Sequence, residues 1–490
     1  MVWLYSGAST RMSRASFKTF VAAAGGAGGV SYWIDEIVPD NNNHMATRLA
    51  FNNDRETMML IAVDQVDGSK RYVEIDYDGA IQREGKTNSM SGSYSYQSIN
   101  IQRGMNDQYL TIYTAGVYQT DPRLLSNGLT GTIQTQDLSL ANNTTPGLAY
   151  YNTGYMNPRG ALYSDDDYAL VVHGGYVATY FTGYGTYFAA QVNVKKFTYS
   201  STGAVPTPLS YYNWDTGYAS YSDTRWVAIS PASSTGYHLM TSYVYDFAGG
   251  PNSVAYFLYR GTTGTGTNAA RTASGEGSGY QGSIGIHFDS SDNFVSVQNF
   301  TYTARVWKNT AGSVPTYYWP NIRYSVSLNS ISSTNAQPID SALDSDDNLY
   351  ILYSTGHIGK WNSAMNLQWC VKVENTSAAP YQTSTLYYGS LDIPVIDGTD
   401  VICITLTQAA RSGQTTKNLA VYKLPIDLDN YTGTYGDYSI TTVSNAFTVA
   451  TQATFFGQQA VGGSNTMSVS NFLSPSTTTN TTLSVTNTPV

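Results

Sequence analysis

Hydrophobic and polar residues alternate along most of the chain, in short runs separated by acidic or small polar turns. The clearest example is residues 338–374, PIDSALDSDDNLYILYSTGHIGKWNSAMNLQWCVKVE. The alternation stops at a turn over 344–348, resumes, turns again at Thr355 and Gly356, and resumes twice more. A period of two between turn residues is typical of antiparallel strands, and Asp, Asn and Ser stabilise such turns by bonding their own backbone. This stretch predicts four consecutive strands.

The same unit of strand, polar turn and second apolar strand recurs seven times. One marker residue per turn gives spacings of 50 to 68 residues, with the markers at Asp54, Asp107, Asp166, Ser234, Asp292, Asp347 and Asp397. A four-stranded propeller blade takes about 40 to 50 residues before loops are lengthened, and each sheet needs neighbours to cover its faces. We therefore predict an all-β fold, a seven-bladed β-propeller with extended N- and C-terminal arms. A parallel β-helix, which needs far shorter repeats, is the alternative.

The repeats divide the chain into three predicted parts. Residues 1–39 form an N-terminal arm, 40–445 the propeller, and 446–490 an extended arm rich in Ser, Thr and Asn that is ordered only if something holds it. Within the first part, YWIDEIVP reads as one strand. It leads into the first blade or supplies the missing strand of the last, which would leave no open sheet edge.

The amino-acid composition and net charge exclude several classes of partner. Charged residues make up only 12% of the 490 residues, whereas Tyr counts 42 and Gly 44. The net charge is -9 and no basic run occurs, so nucleic acid and anionic membrane surfaces are not expected partners. No apolar run approaches the roughly 18 residues of a transmembrane helix, so no membrane insertion is expected. Cys370 and Cys403 lie in apolar strands, where buried free thiols are favoured over a disulfide.

Motifs for catalysis or metal binding are missing. The five histidines are scattered, and no G-x-S-x-G, H-E-x-x-H or phosphate-binding loop occurs. The acidic stretches 164–168 and 344–348 are similar to calcium loops but lack the spacing to a final Glu, and Asx hydrogen bonding explains them as turns. We predict no metal, no cofactor and no enzyme. Glycosidase carboxylates meet only in space, so that chemistry stays open without sequence support.

Aromatic side chains are the remaining candidates for a binding surface. Rings near a Gly-rich hairpin tip and before a proline can contact a glycan or a protein, since an aromatic face offers contact area at low entropic cost. In a β-rich chain such rings also serve as cross-strand packing partners. The predicted binding residues are Tyr180, Tyr184, Tyr187, Tyr317, Tyr318 and Trp319.

Two resemblances follow from these residues. The segment HIGKWNSAMNLQWCVKVE resembles the outer half of a blade in quinoprotein-like propellers, through Lys360, Trp361, Asn366 and Trp369, with 344–349 similar to their acidic entry turn. No quinone-binding or heme-binding pattern accompanies it. The whole chain resembles structural proteins of tailed bacteriophages in composition and organisation. It has few charges, abundant Tyr, Gly, Ser, Thr and Asn, and arms that flank a β-rich domain.

The second resemblance implies the function expected here. It implies a non-enzymatic virion protein, tail- or fibre-associated, located in the virion and bound through its arms to other virion proteins or to copies of itself. Contact with a host surface glycan is part of this expectation. The alternative is a secreted or cell-surface propeller that binds or cleaves glycans, which convergence of carboxylates and rings on one face would favour.

Overall fold

The computed structural model describes the chain in segments. These are residues 30–37, 44–64, 70–86, 100–103, 109–115, 121–127, 133–137, 148–149, 161–164, 168–181, 185–198, 207–219, 221–232, 236–246, 253–261, 267–273, 280–291, 294–300, 303–309, 321–328, 336–376, 389–408, 418–454 and 488–489. Side chains are described for only part of these strands, chiefly within 30–34, 49–62, 73–82, 284–308, 336–376, 389–407 and 419–450.

Nearly all of the described backbone is β-strand, which confirms the all-β part of the predicted fold class. The strands up to residue 273 are β1 (Trp33–Ile37), β2 (His44–Asn52), β3 (Thr57–Asp64), β4 (Lys70–Asp76), β5 (Ile81–Lys86), β6 (Asn100–Arg103), β7 (Tyr109–Ala115), β8 (Asp121–Asn127), β9 (Ile133–Asp137), β10 (Leu148–Ala149), β11 (Ala161–Ser164), β12 (Tyr168–Phe181), β13 (Gly185–Thr198), β14 (Thr207–Ala219), β15 (Tyr221–Ala232), β16 (Gly236–Asp246), β17 (Ser253–Gly261) and β18 (Thr267–Ala273).

The remaining strands include the best-defined repeats. They are β19 (Tyr280–Phe288), β20 (Phe294–Phe300), β21 (Thr303–Asn309), β22 (Asn321–Leu328), β23 (Pro338–Leu343), β24 (Leu349–Tyr353), β25 (His357–Trp361), β26 (Leu367–Asn375), β27 (Gly389–Asp392), β28 (Val395–Ile396), β29 (Thr399–Gln408), β30 (Asn418–Pro425), β31 (Gly433–Tyr435), β32 (Tyr438–Thr442), β33 (Phe447–Thr454) and β34 (Thr488–Pro489). A short 3-10 helix, Leu428–Tyr431, follows β30. No α-helix occurs in the described segments, and none of their helices could span a membrane.

The described strands are grouped in seven antiparallel sheets. Their bodies are β2–β5, β6–β9, β10–β14, β15–β18, β19–β22, β23–β26 and β27–β30. Strands at the start of each sheet contact those of the next, and β27 returns to β2, so the contacts close a circuit. Meandering sheets arranged in this way form a β-propeller. Every pairing among the described strands is antiparallel, so the parallel β-helix alternative is wrong.

The strand that completes the last sheet comes from the other end of the chain. β1 pairs antiparallel with β30, with Trp33 opposite Lys423 and Ile37 opposite Leu419, which gives the order β27-β29-β30-β1. The sequence left two positions open for this strand, in the last blade or leading into the first. In the structure it belongs to the last sheet. Part of the predicted N-terminal arm is therefore a strand of a sheet, while residues 1–29 lie outside the described residues.

The segment after β30 runs back over sheets already formed. β31 and β32 extend the sheet of β23–β26 through β26, and β33 pairs with β22 along its full length. Residues 447–454 of the predicted C-terminal arm are thus held by another strand, as an ordered arm requires. The ring of Phe447 lies 5.3 Å from that of Tyr353 and 4.9 Å from that of Trp361. Added strands of this kind cover sheet edges that would otherwise be open.

The hydrophobic core lies between the sheets, because central strands are buried on both faces. All five residues of β24 are buried. Leu349, Ile351 and Tyr353 pack towards the sheet of β19–β22, whereas Tyr350 and Leu352 pack towards that of β27–β30. A third cluster joins the sheet of β27–β30 to β2–β5. The sheets of β23–β26 and β27–β30 are thus each covered on both faces by their neighbours, as the repeat pattern predicts.

The buried His357 makes the stability of this region sensitive to acid. Burial first, and then the nearby Lys372, lower the pKa of His357 to about 4, against an opposing effect of Glu374. The unfolded chain therefore binds a proton more readily than the folded chain, and stability falls as the pH decreases from about 6.5 towards 4. We expect a loss of about 2–3 kcal/mol between pH 7 and pH 4.5 from this group.

Urea unfolding at the two pH values tests this expectation. The difference between pH 7 and pH 4.5 should be smaller in His357→Gln than in the natural chain, because glutamine does not titrate. An equal pH dependence in both proteins would contradict the assignment.

Candidate functional site

The predicted aromatic residues are described only in part. Tyr180 and Tyr187 lie on β12 and β13, where Tyr180 is opposite Thr186 and Tyr187 is opposite Thr179. The two tyrosines thus occupy successive positions of the ladder and are not paired with each other. Their side chains, and the whole of Tyr184, Tyr317, Tyr318 and Trp319, lie outside the described residues, so this binding surface stays a prediction.

The two cysteines are buried and free, as predicted. Burial raises the pKa of Cys370 to about 12. Burial also raises the pKa of Cys403, against a smaller opposite effect of Lys423. Because the thiolate is the reactive form, neither side chain has the character of a nucleophile.

The acidic turn after β23 is organised by the carboxylate of Asp344. One oxygen, Oδ1, accepts hydrogen bonds from the backbone N–H of Asp346 (3.0 Å) and of Asn348 (2.8 Å), which confirms the predicted Asx turn. The other, Oδ2, accepts from the hydroxyl of Tyr350 at 2.9 Å and lies 3.4 Å from Nζ of Lys360. The turn is therefore held by one buried carboxylate, and all of its described contacts are internal to the sheet.

Neighbouring turns bond to each other across the sheet interfaces. Ser290, in the turn after β19, donates through its N–H and its Oγ to Asp347. Ser345, at the equivalent place after β23, donates in the same way to Asp400. The Asp-Ser pair at the start of these two turns thus joins one sheet to the next.

A Ser–His pair joins two of the first strands of the sheets. Nε2 of His287 on β19 lies 2.8 Å from Oγ of Ser341 on β23. A side chain at Gly285 would collide with Ser341 Oγ at 1.9 Å, so the glycine makes room for the contact. Ser341 is only 2% exposed, which leaves no access for a substrate to its hydroxyl. The geometry fits a link between strands better than a catalytic pair.

The interface that closes the circuit converges on the carbonyl oxygen of Tyr77. It accepts hydrogen bonds from Oγ of Ser31 (3.1 Å), Nε1 of Trp33 (2.9 Å) and Nζ of the buried Lys423 (2.7 Å). The Lys423 ammonium also lies 5.3 Å from the centre of the Tyr77 ring. Three donors from both ends of the chain thus bind one turn of the sheet of β2–β5.

Beside this interface lies a half-exposed group of aromatic and polar side chains, here named the rim cluster, formed by Tyr32, Asp427, Asn430 and Tyr431. Tyr32 and Tyr431 are both half-buried and pack on the same hydrophobic cluster. Asp427 and Asn430 are exposed, and Nδ2 of Asn430 donates to Oδ2 of Asp427 at 3.1 Å. The cluster exists only because β1 brings Tyr32 to the far end of the chain.

Local structure holds the rim cluster in place. The N–H of Asn430 donates to the carbonyl of Asp427 across the 3-10 turn, whose Leu428 is fully buried. The hydroxyl of Tyr435 donates to the carbonyl of Tyr431 at 2.7 Å. Tyr32 stands between two residues that are both bonded to the Tyr77 carbonyl. The two rings are thus presented by fixed backbone.

Electrostatics keep the two tyrosine hydroxyls protonated. Burial, then Tyr431 and then Asp427 raise the pKa of Tyr32. Burial and then Asp427 raise the pKa of Tyr431. Both phenols are therefore neutral hydrogen-bonding groups at neutral pH, beside a carboxylate that accepts.

The described side chains contain no group of three or more His, Cys, Asp or Glu arranged to hold a metal ion. The rim cluster was not predicted from the sequence. Its only local signal is the mixture of acids, amide and tyrosines in PIDLDNYTGTY, residues 425–435.

Comparisons with known proteins yield distant structural neighbours only. No family model and no curated protein sequence matches the chain. Solved structures that are similar include the Dos1 propeller (12% identity, 79% of this chain and 93% of that chain, TM-score 0.37) and oligogalacturonate lyase in complex with manganese (10%, 81% and 95%, TM-score 0.35). A third is the WD40 domain of SCAP from fission yeast (9%, 80% and 98%, TM-score 0.29). Such values carry no information on activity or partners.

Proposed function

We propose that this protein is a non-enzymatic structural component of a bacteriophage virion, associated with the tail or its fibres, that assembles through its terminal segments and contacts the host surface. The observation that carries the proposal is the use of segments before and after β2–β30 as outer strands. β1 completes the last sheet, and β31–β33 lie along the outer edges of two others. Segments that add strands to sheet edges are well suited to joining subunits.

The number of blades in this proposal is seven. Seven described sheets, and first-strand contacts that lead from each to the next and back to the first, support that number. In sequence, five of the seven marker positions lie between the first and second strands of these sheets, whereas Asp166 lies between β11 and β12 and Asp397 between β28 and β29.

The use of buried polar groups supports a structural role. Oδ2 of the buried Asp340 accepts from the N–H of Leu391 in the next sheet at 2.9 Å. The half-buried His287 and the exposed Ser290 and Ser345 also bond across interfaces. Buried polar side chains that are satisfied by neighbouring sheets fix how those sheets pack. A low charge content and a Tyr-rich composition are consistent with a particle component.

Localisation tests the proposal. Phage particles from a lysate would be purified on a density gradient, and the chain located with an antibody raised against the full-length recombinant protein, by immunogold labelling and peptide mass spectrometry. We expect it to co-sediment with tail proteins and to label the tail. A chain that stays soluble as a monomer and hydrolyses oligosaccharides would contradict the proposal and favour a glycan-cleaving propeller.

A further inference from the structure

We propose that the rim cluster is a binding site for one neutral pyranose unit of a surface glycan. This inference deepens the host-contact part of the proposed function, because it names a site and a ligand class. The juxtaposition that carries it is two half-exposed tyrosine rings beside an exposed carboxylate and an exposed carboxamide.

The rings supply the apolar part of the site. A pyranose has a face of C–H groups that packs on an aromatic ring, and a tyrosine adds a polar edge to that face. Tyr32 and Tyr431 both rest on buried side chains of the core and keep part of their surface exposed. Two such rings are enough to contact a single sugar ring.

The polar groups supply orientation. Asn430 donates to Oδ2 of Asp427, and both side chains are exposed, so their oxygen atoms can accept hydrogen bonds from a ligand. A carboxylate accepts two hydrogen bonds in a fork, which matches a pair of neighbouring sugar hydroxyls, and charge-assisted bonds of this type are the stronger ones. A few convergent polar groups on an aromatic surface are the usual composition of a ligand site.

The charges near the rim cluster determine which class of sugar it can bind. Neither 30–35 nor 424–437 contains a Lys or an Arg, whereas Asp427, Asp429 and Asp437 lie within the second segment. Lys423, the neighbouring cation among the described residues, is buried and bonded to the Tyr77 carbonyl. A uronic or sialic acid would therefore meet repulsion from these carboxylates. The site therefore favours neutral sugars.

Preorganisation limits the cost of binding. Buried Leu428, the Tyr435–Tyr431 hydrogen bond and the anchored neighbours of Tyr32 already hold the two rings. Binding then requires little loss of side-chain and loop freedom, which would otherwise reduce the affinity.

Saturation-transfer-difference NMR on the full-length protein tests the site. The probes are methyl α-glucopyranoside, methyl β-galactopyranoside, N-acetylglucosamine and L-rhamnose, with glucuronate as the acidic comparison. We expect at least one neutral sugar to be saturated by the natural protein. Its apparent affinity should fall about tenfold or more in Tyr431→Ala and in Asp427→Asn, and glucuronate should bind more weakly.

The matched control is Asp397→Asn, which changes an equally exposed turn aspartate outside the rim cluster. It should bind like the natural protein, and the urea midpoints of all variants should agree, which separates lost binding from lost folding. Saturation of none of the four neutral sugars, a preference for glucuronate, or equal binding by the variants would overturn the inference. If the sugar site is absent, labelling of the phage tail is unaffected. If the chain is soluble and not in the virion but still binds sugar, only the virion role is overturned.

Discussion

Replacing Trp33 by alanine is expected to lower the free energy of unfolding by about 3–5 kcal/mol. Trp33 is fully buried in the cluster that joins the sheet of β27–β30 and β1 to that of β2–β5. The same cluster contains Leu60, Val73 and Val401, and Nε1 of Trp33 donates to the carbonyl of Tyr77 at 2.9 Å. Alanine leaves a cavity between two sheets and removes one of the three donors to that carbonyl.

Urea unfolding measures this loss of stability. It is followed by far-UV circular dichroism, because that backbone signal does not depend on the replaced tryptophan. Trp33→Phe should cost less, because a ring still fills most of the space and only the hydrogen bond is lost. Val395→Ala is the matched control, since Val395 is 46% exposed in the same sheet, and it should change stability by less than about 0.5 kcal/mol. A Trp33→Ala loss as small as that of the control would show that Trp33 does not lie in a closing interface.

Replacing Asp344 by alanine is expected to cost a similar amount, about 3–5 kcal/mol, for a different reason. The carboxylate accepts from two backbone N–H groups and from the hydroxyl of Tyr350, and it faces the ammonium of Lys360. Its removal leaves Tyr350 and a largely buried cation without their acceptor. Breaking one side of a buried pair is costly because the remaining group stays desolvated.

Asp346→Ala is the control for this prediction, because Asp346 lies in the same turn with an exposed side chain. It should be nearly neutral, whereas Asp344→Asn, which keeps an oxygen acceptor but loses the charge, should fall between the two. Chemical denaturation of the three variants at pH 7 gives the ranking. Equal stability of the two alanine variants would mean that the turn is not organised by Asp344.

Local pattern predicted much of this architecture. The run of Asp, Ser and Asn at 344–348 predicted a turn with Asx bonding, and Asp344 makes those bonds. Thr355 and Gly356 predicted a turn, and Gly356 has a positive φ of 80°. Such features depend on a few adjacent residues, so a sequence contains the information directly.

The pairing of strands that are distant in sequence could not be predicted from the hydrophobic pattern. WIDEI reads as a strand, but its alternation does not say which sheet it joins, and the choice of β30 depends on packing of Trp33 against residues as distant as Val421. The same holds for β33, whose Thr- and Ala-rich sequence has no core of its own and pairs with β22. Tertiary contact, not local preference, selects both partners.

The candidate site illustrates the same limit. Sequence reasoning selected tyrosines near Gly183 and before Pro320 because they cluster locally. The rim cluster instead joins Tyr32 to Tyr431, a pair that becomes adjacent only when the chain closes on itself. The residues next to Tyr32 in sequence do not indicate that Tyr431 lies near it, so this pair can be found only from the fold.

Covalent trapping of β1 against β30 tests the closed circuit most directly. Glu36 and Ala420 are opposite each other in the ladder. Directly opposite residues of an antiparallel pair have Cα atoms about 4.5–5.5 Å apart, which a disulfide can span. We expect Glu36→Cys/Ala420→Cys to form one intramolecular disulfide, seen by mass spectrometry as a linked pair of N- and C-terminal peptides, while the control Glu36→Cys/Thr442→Cys forms none. A protein that folds normally but yields no linked pair, or links equally well in the control, would contradict the ring that this strand completes.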